Sequence, residues 1–124
     1  RQESGGLHVS ALSDGETLLV VSRDVGRHNT LDKIWGECLF SDVRTEGKVL
    51  LTTGRISSEM MAKAAKMGVP IVVSVNSPTD RAVELAERLG ITIVGYARGA
   101  RLSVYSHPER LQSPLASTVD QPSP

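Results

Sequence analysis

The string Asp24-Val25-Gly26-Arg27-His28-Asn29 and its echo, Gly54-Arg55-Ile56-Ser57-Ser58-Glu59, carry residue types suited to holding an anion. In each, a Gly-Arg pair follows an apolar run that reads as a strand and precedes an amphipathic run that reads as a helix. A junction of that kind offers backbone amides and a helix N-terminus to a phosphate. Arginine adds a rigid fork for bidentate recognition. Two such junctions predict a ligand with several phosphates, with Gly26, Arg27, His28, Gly54, Arg55 and Ser57 as candidate binding residues. A further candidate is Tyr96-Ala97-Arg98-Gly99-Ala100-Arg101, where an aromatic ring can stack on a base and two arginines flanking Gly99 can pair with phosphate.

The same residues also admit plainer roles. Gly26 and Gly54 suit tight turns, and Asp24, Asn29, Ser57 and Thr79 suit helix caps worth ~1 kcal/mol each. The Tyr96 to Arg101 stretch suits a basic hairpin turn. Both readings stay open at this level. Ser57-Ser58-Glu59 reads as a capping motif rather than a nucleophile with its base, because no histidine lies at a fixed spacing to activate either serine. No residue is therefore assigned a catalytic role. His8, His28 and His107 are spread without ligand spacing, so no metal site is expected, and His28 is the best placed of the three for a ligand.

Composition bounds what these residues can serve. A chain of 124 residues with 40% apolar content fits one compact domain. Fourteen basic and 14 acidic residues cancel, which argues against wholesale attraction to nucleic acid or to a membrane surface, so any anion site must be local. The single cysteine, Cys38, excludes an internal disulfide and a multi-cysteine zinc cage. It fits a reducing compartment, and a cytoplasmic location is expected. No apolar run approaches the ~20 residues of a membrane span, and the first residues lack a signal-peptide core. The chain does not begin with Met, which fits a fragment or a processed product.

Periodicity supplies the elements that must position the candidates. Leu7 to Leu12 and Thr17 to Ser22 read as an antiparallel strand pair around the Asp14-Gly15 turn. From His28 to Phe40, Leu31, Ile34, Trp35, Cys38 and Leu39 recur at helical spacing and predict one apolar face, with Cys38 in the core. Lys48 to Thr52 reads as a strand. Ser57 to Met67 reads as a helix with Met60, Met61, Ala64 and Ala65 inward, closed by Gly68. Ile71 to Val75 is a β-branched run suited to a strand covered on both faces, and Pro78 stands at the start of a helix that Gly90 closes near Leu89. Ile91 to Gly95 and Leu102 to Ser106 read as the last strands, with Tyr96 to Arg101 as the loop between them. Residues 112–124 hold three of the six prolines among Ser, Thr and Gln and are expected to be a disordered tail. The order β-β-α-β-α-β-α-β-β predicts an α/β three-layer sandwich with a mixed, mostly parallel sheet. Its strand-to-helix junctions should open on one edge, where ligands of such sheets collect.

Ser4-Gly5-Gly6-Leu7-His8, Asp24 to Asn29 with Leu31-Asp32-Lys33, Gly54 to Met60 with Lys63-Ala64, Ser77-Pro78-Thr79 with Ala82-Val83, and Gly95-Tyr96 through Val104-Tyr105 together resemble a known family. It is the formate dehydrogenase accessory sulfurtransferase family, FdhD, and the match is to its C-terminal domain, in order, over residues 1–111. The resemblance implies a cytidine-deaminase-like fold. It also implies a sulfur carrier that accepts sulfur from a cysteine desulfurase and passes it to the molybdenum bis(molybdopterin guanine dinucleotide) cofactor of formate dehydrogenase. GDP would then be a ligand analogue, and a homodimer would be in keeping with the family. The stretch Tyr96, Ala97, Arg98, Gly99, Ala100 and Arg101 matches the family's cofactor-binding segment, while roles for Arg27, His28, Arg55 and Ser57 come from their junctions alone.

One departure limits what the resemblance implies. The family carries sulfur as a persulfide on a Cys-x-x-Cys loop upstream of the Gly-Gly-x-His segment, and this sequence starts after it. Cys38 is not a substitute, since a buried thiol stays protonated and a persulfide carrier must be an exposed, ready thiolate. Deaminase chemistry is not expected either, because the His-x-Glu and Pro-Cys-x-x-Cys zinc signature is absent. Two expectations follow: the cofactor-binding part of a sulfurtransferase, or a nucleotide-binding or scaffold domain without sulfur-transfer chemistry.

Overall fold

The computed structural model describes residues 7–98 and 101–111. Two strands open the fold, β1 (His8–Ser13) and β2 (Leu18–Asp24), joined through the Asp14-Gly15 turn, where Gly15 adopts the positive φ that glycine tolerates. They pair antiparallel, as the hairpin signal predicts. Helix α1 (Arg27–Ser41), β3 (Val49–Thr52), α2 (Ser58–Met67), β4 (Ile71–Ser74) and α3 (Asp80–Leu89) follow, then β5 (Thr92–Arg98), β6 (Arg101–Val104) and a 3-10 turn, Pro108–Arg110. Gly68 and Gly90 close α2 and α3 at φ +76 and +74, the left-handed caps that the sequence places there.

The strands form one sheet in the order β2-β1-β3-β4-β5-β6. The sheet is mixed, but parallel pairing is confined to β3-β4 and β4-β5. Strand β1 runs antiparallel to both β2 and β3, and β6 runs antiparallel to β5. The sheet is thus less parallel than expected, because β1 inserts between β2 and β3. That insertion leaves β2, β3, β4 and β5 all running the same way.

The three helical crossovers β2-α1-β3, β3-α2-β4 and β4-α3-β5 step across the sheet in one direction. Connections of uniform hand then put every helix on one face. The core agrees: Leu12, Leu50, Val72 and Ile93 stand side by side in the strand register and share a single buried cluster with Leu31, Ile34 and Cys38 of α1, Met60, Met61 and Ala64 of α2, and Ala82 and Ala86 of α3. On the opposite face the register sets Ala11, Leu51, Val73 and Val94 in a row, and the first three border a largely apolar depression that also includes Val9, Val75 and Ala97. The described residues therefore build two layers, not the three expected; the sequence shows that strands are apolar on both sides but not which side each helix takes.

Two further expectations are corrected. Leu39 does not belong to the inward face of α1: it is 74% exposed, while Leu31, Ile34 and Cys38 are buried and Trp35 partly so. Leu39 lies one residue, and so about 100°, round from Cys38 at the end of the helix. Tyr96, Ala97 and Arg98 are not loop residues, because β5 continues through them to Arg98, which pairs with Arg101 of β6. The expected tail, residues 112–124, lies outside the described residues, as do Gly99 and Ala100.

Candidate functional site

Because β2, β3, β4 and β5 share one direction, their carboxyl ends lie along one edge of the sheet, and each predicted junction opens there. At the first, the Asp24 carboxylate accepts from the Gly26 amide (3.0 Å) and from the Asn29 side-chain amide (3.4 Å), and pairs with the Lys33 ammonium at 2.8 Å. These contacts, that of Lys33 foremost, hold the Asp24 carboxyl well below the usual carboxylate range. Gly26 is the N-cap of α1 and offers no side-chain cap. Asn29, a candidate cap, sits instead in the first turn and braces the aspartate. Arg27 and His28 occupy the first helical positions; their side chains lie outside the described residues.

The second junction is pinned from several sides. The Gly54 amide donates to Thr52 Oγ1 (3.1 Å), and its carbonyl accepts from Ser74 Oγ (2.7 Å). Ile56 is fully buried and bridges to Pro78, with its amide donating to the Ser77 carbonyl and its carbonyl accepting from Thr79. Ser57 Oγ accepts from Met60 N at 3.2 Å, so the capping role weighed for this serine is realised. Arg55 stands exposed between these anchors. Thr79 caps α3 in the same manner, accepting from Ala82 N at 3.1 Å.

The third junction meets β5. Ser74 Oγ accepts from the Asn76 amide (2.9 Å), and the Asn76 carbonyl accepts from Tyr96 N (3.0 Å). Gly95 makes that approach feasible: a Cβ there would lie 2.9 Å from Tyr105 Cε1 and 3.1 Å from the Asn76 oxygen. Tyr96 follows at φ +52, a left-handed conformation uncommon for an aromatic residue, within an irregular stretch of the β5-β6 pairing, and its ring is exposed. Tyr105 lies close by, its hydroxyl pushed up by burial and by Tyr96.

The structure thus brings Gly54 and Tyr96 into one hydrogen-bonded assembly with Ser74, Asn76 and Ser77, with Arg55 and Ser57 next along the chain from Gly54. Ala97 borders the open sheet face, and Arg101 is exposed at the start of β6. Gly26 lies along the same edge but apart, since β2 and β5 are four strand spacings away from one another, about 19 Å. Ser74 and Asn76 were not singled out as site residues; the only sequence signal for them is a polar pair ending an otherwise apolar run. Cys38 is 1% exposed and its thiol is pushed up by burial, as expected of an inert core cysteine. Among the described residues no group of three or more His, Cys, Asp or Glu side chains is placed to hold a metal ion, and no helix is long and apolar enough to cross a membrane.

The fold has solved counterparts. It superposes on the crystal structure of a protein from Desulfotalea psychrophila described as a formate dehydrogenase accessory protein, with a TM-score of 0.78 and 39% identity, over 84% of this chain and 47% of that one. It also matches the dCMP deaminase of cyanophage S-TIM5 at a TM-score of 0.58 and 15% identity, over 71% of this chain and 79% of the deaminase, a likeness of fold alone. The cytidine-deaminase-like architecture implied by resemblance is therefore present. In sequence, the chain is 48% identical over 111 residues to the sulfur carrier protein FdhD of Bacillus subtilis and 52% identical over 110 residues to that of Staphylococcus aureus. It spans 42% of the length of each. The FdhD/NarQ family model matches residues 1–112, and on that match and these identities the chain belongs to the FdhD/NarQ family.

Proposed function

We propose that this chain is the cofactor-binding part of a sulfur carrier that serves formate dehydrogenase. Its substrate is the molybdenum bis(molybdopterin guanine dinucleotide) cofactor, and the sulfur comes from a cysteine desulfurase. The observation that carries this reading is the spread of anion-suited groups along one sheet edge, about 19 Å from the β2 end to the β5 end. A single phosphate cannot reach both ends, whereas a ligand with a nucleotide at each extremity can. Tyr96 offers an exposed ring for a guanine, and Arg55 and Arg101 offer exposed guanidinium groups for pyrophosphate. Arg27, His28 and Arg98 stand at positions of the backbone that serve the same ends. The rigid Gly54 to Asn76 assembly keeps the amides of that junction in place before a ligand arrives.

Within these 124 residues the sulfur step has no carrier, because Cys38, the single cysteine, is buried and held as the thiol. The proposed transfer therefore draws on a cysteine supplied from outside this chain. The same observation favours a second reading, a nucleotide-binding or scaffold domain without sulfur-transfer chemistry. Titration with GDP by calorimetry, at modest salt, tests what the two share. Saturable binding weakened at least ten-fold by Arg98→Ala with Arg101→Ala is expected. Absence of GDP binding would overturn the nucleotide site, and binding indifferent to that double substitution would move it away from the β5-β6 end. Restoration of formate dehydrogenase activity by this chain added to its cysteine-bearing partner segment then separates carrier from scaffold.

A further inference from the structure

Two residues beyond the apolar row Leu12, Leu50 and Val72, on the same face and at the carboxyl ends of β3 and β4, the strand register sets Ser22, Ser10, Thr52 and Ser74 side by side across four strands. All four are buried, Ser10 and Ser74 to 1% exposure. A hydroxyl in such a place adds little net stability when bonded and costs some when it is not, whereas an apolar side chain of similar size would extend the core. What a bonded hydroxyl supplies and a methyl cannot is direction, a fixed place for the group it bonds.

The bonds of this row run from α1 to the second junction. Thr30, fully buried, hangs from the first turn of α1, where its amide donates to the Gly26 carbonyl, and its hydroxyl shares a hydrogen bond of 2.7 Å with Ser10 Oγ. Ser10 Oγ donates on to Thr52 Oγ1 at 3.1 Å, and Thr52 Oγ1 accepts in addition from the Gly54 amide at 3.1 Å. Ser74 Oγ holds the Gly54 carbonyl from the other side at 2.7 Å. Gly54 has no side chain to anchor, so these two hydroxyls fix its N–H and its carbonyl. Ser22 Oγ, at the outer end of the row, has no hydrogen-bond partner among the described residues. The linked part therefore starts at Ser10 and takes its outer support from α1 rather than from β2.

Strand β1 is what makes such a link necessary. It separates β2 from β3 by two strand spacings, about 10 Å, and being antiparallel to both it brings no strand-to-helix junction to that edge. Helix α1 meanwhile begins without a side-chain cap. We propose that the hydroxyls of Thr30, Ser10 and Thr52 are positioning groups for the ligand edge. Buried themselves, they act through their neighbours, locking the first turn of α1 to the Gly54 peptide so that the first two Gly-Arg junctions present their amides as one rigid body. A long ligand with anionic groups at both junctions then meets a spacing already set, without the entropic cost of ordering two independent turns. That benefit to a nucleotide rests on the function proposed above, whereas the linkage rests on the contacts alone.

Thr30→Val tests the link, since valine keeps the branched shape in the helix and removes the hydroxyl. Native-state hydrogen exchange of the 124-residue chain is read at the Gly54 amide and, as a reporter of the core, at the Val72 amide. Exchange at Gly54 is expected to speed up about five-fold or more while Val72 changes less than about two-fold, and Thr30→Ser, which restores the hydroxyl, is expected to return Gly54 to the wild-type rate. Ser10→Ala removes the middle link from a strand instead of a helix and should give the same pattern, so the test survives if one variant fails to fold. GDP probes the consequence: calorimetry should find its Kd raised about three-fold or more by Thr30→Val and restored by Thr30→Ser. Gly54 exchange unchanged in both hydroxyl-deleted variants would overturn the proposal. So would equal acceleration at Gly54 and Val72, which marks a general loss of stability, or a Gly54 effect with no change in GDP affinity. A wild-type chain that binds no GDP would count against the proposed function, and Gly54 exchange would then decide the linkage by itself.

Discussion

At the Gly26 junction the turn is held by a carboxylate: Asp24 gathers the Gly26 amide, the Asn29 side chain and the Lys33 ammonium, and the helix that follows starts without a side-chain cap. At the Gly54 junction the same Gly-Arg pair is held by hydroxyls and backbone: Thr52 and Ser74 clasp Gly54, Ser57 caps α2, and the buried Ile56 ties the loop to Ser77, Pro78 and Thr79. The first arrangement is ionic and near the surface, so pH and salt can loosen it. The second is neutral and largely buried, so packing decides it. A repeated motif thus folds into two differently held turns, one that titrates and one that does not.

The comparison can be broken most severely at Ile56. Replacing this fully buried side chain with alanine should cost about 2–5 kcal/mol, as other buried isoleucines do, and should loosen the second and third junctions together. Urea unfolding with hydrogen exchange at the Thr79 and Ile56 amides checks both effects. A smaller loss is expected for Ser74→Ala, about 1–3 kcal/mol, because the Gly54 carbonyl and the Asn76 amide lose a partner at once. That loss should not vary between pH 3 and 7, since no titrating group holds the turn.

Asp24→Asn should sharpen the contrast with the least effect. The folded-state carboxyl is held below its ordinary value, so its contribution is present in full above about pH 4, the unfolded aspartate range, and fades as pH falls towards the folded value. Wild type should therefore exceed the variant in stability at pH 7, and the two should converge below about pH 4. Added salt at neutral pH should narrow the gap as well, because Lys33 is more than half exposed. A gap as large at pH 2 as at pH 7 would assign the turn to its amide contacts alone.

Much of the site was legible one piece at a time. Ser57, Thr79, Gly68 and Gly90 cap helices at the positions their types dictate, since capping depends on a few neighbouring residues. Cys38 fell inside because Leu31, Ile34 and Cys38 recur at helical spacing. Leu39 shows where periodicity fails, since an apolar residue at a helix end has no neighbour to cover it within the described chain. Ser74 and Asn76 escaped notice because a hydroxyl and a carbonyl gain meaning only from what faces them, here Gly54 from one strand and Tyr96 from another.

The sequence by itself determined the elements, their order and the polar character of each junction, because those depend on contacts within a few residues. Tertiary structure alone decided that β1 lies between β2 and β3, that all three helices take one face, and that Tyr96, Ala97 and Arg98 extend a strand instead of a loop. Each of those outcomes rests on hydrogen bonds or packing between segments far apart in the chain. Strand partners compete for the same backbone groups, and the winner is set by the whole sheet rather than by any local run of residues.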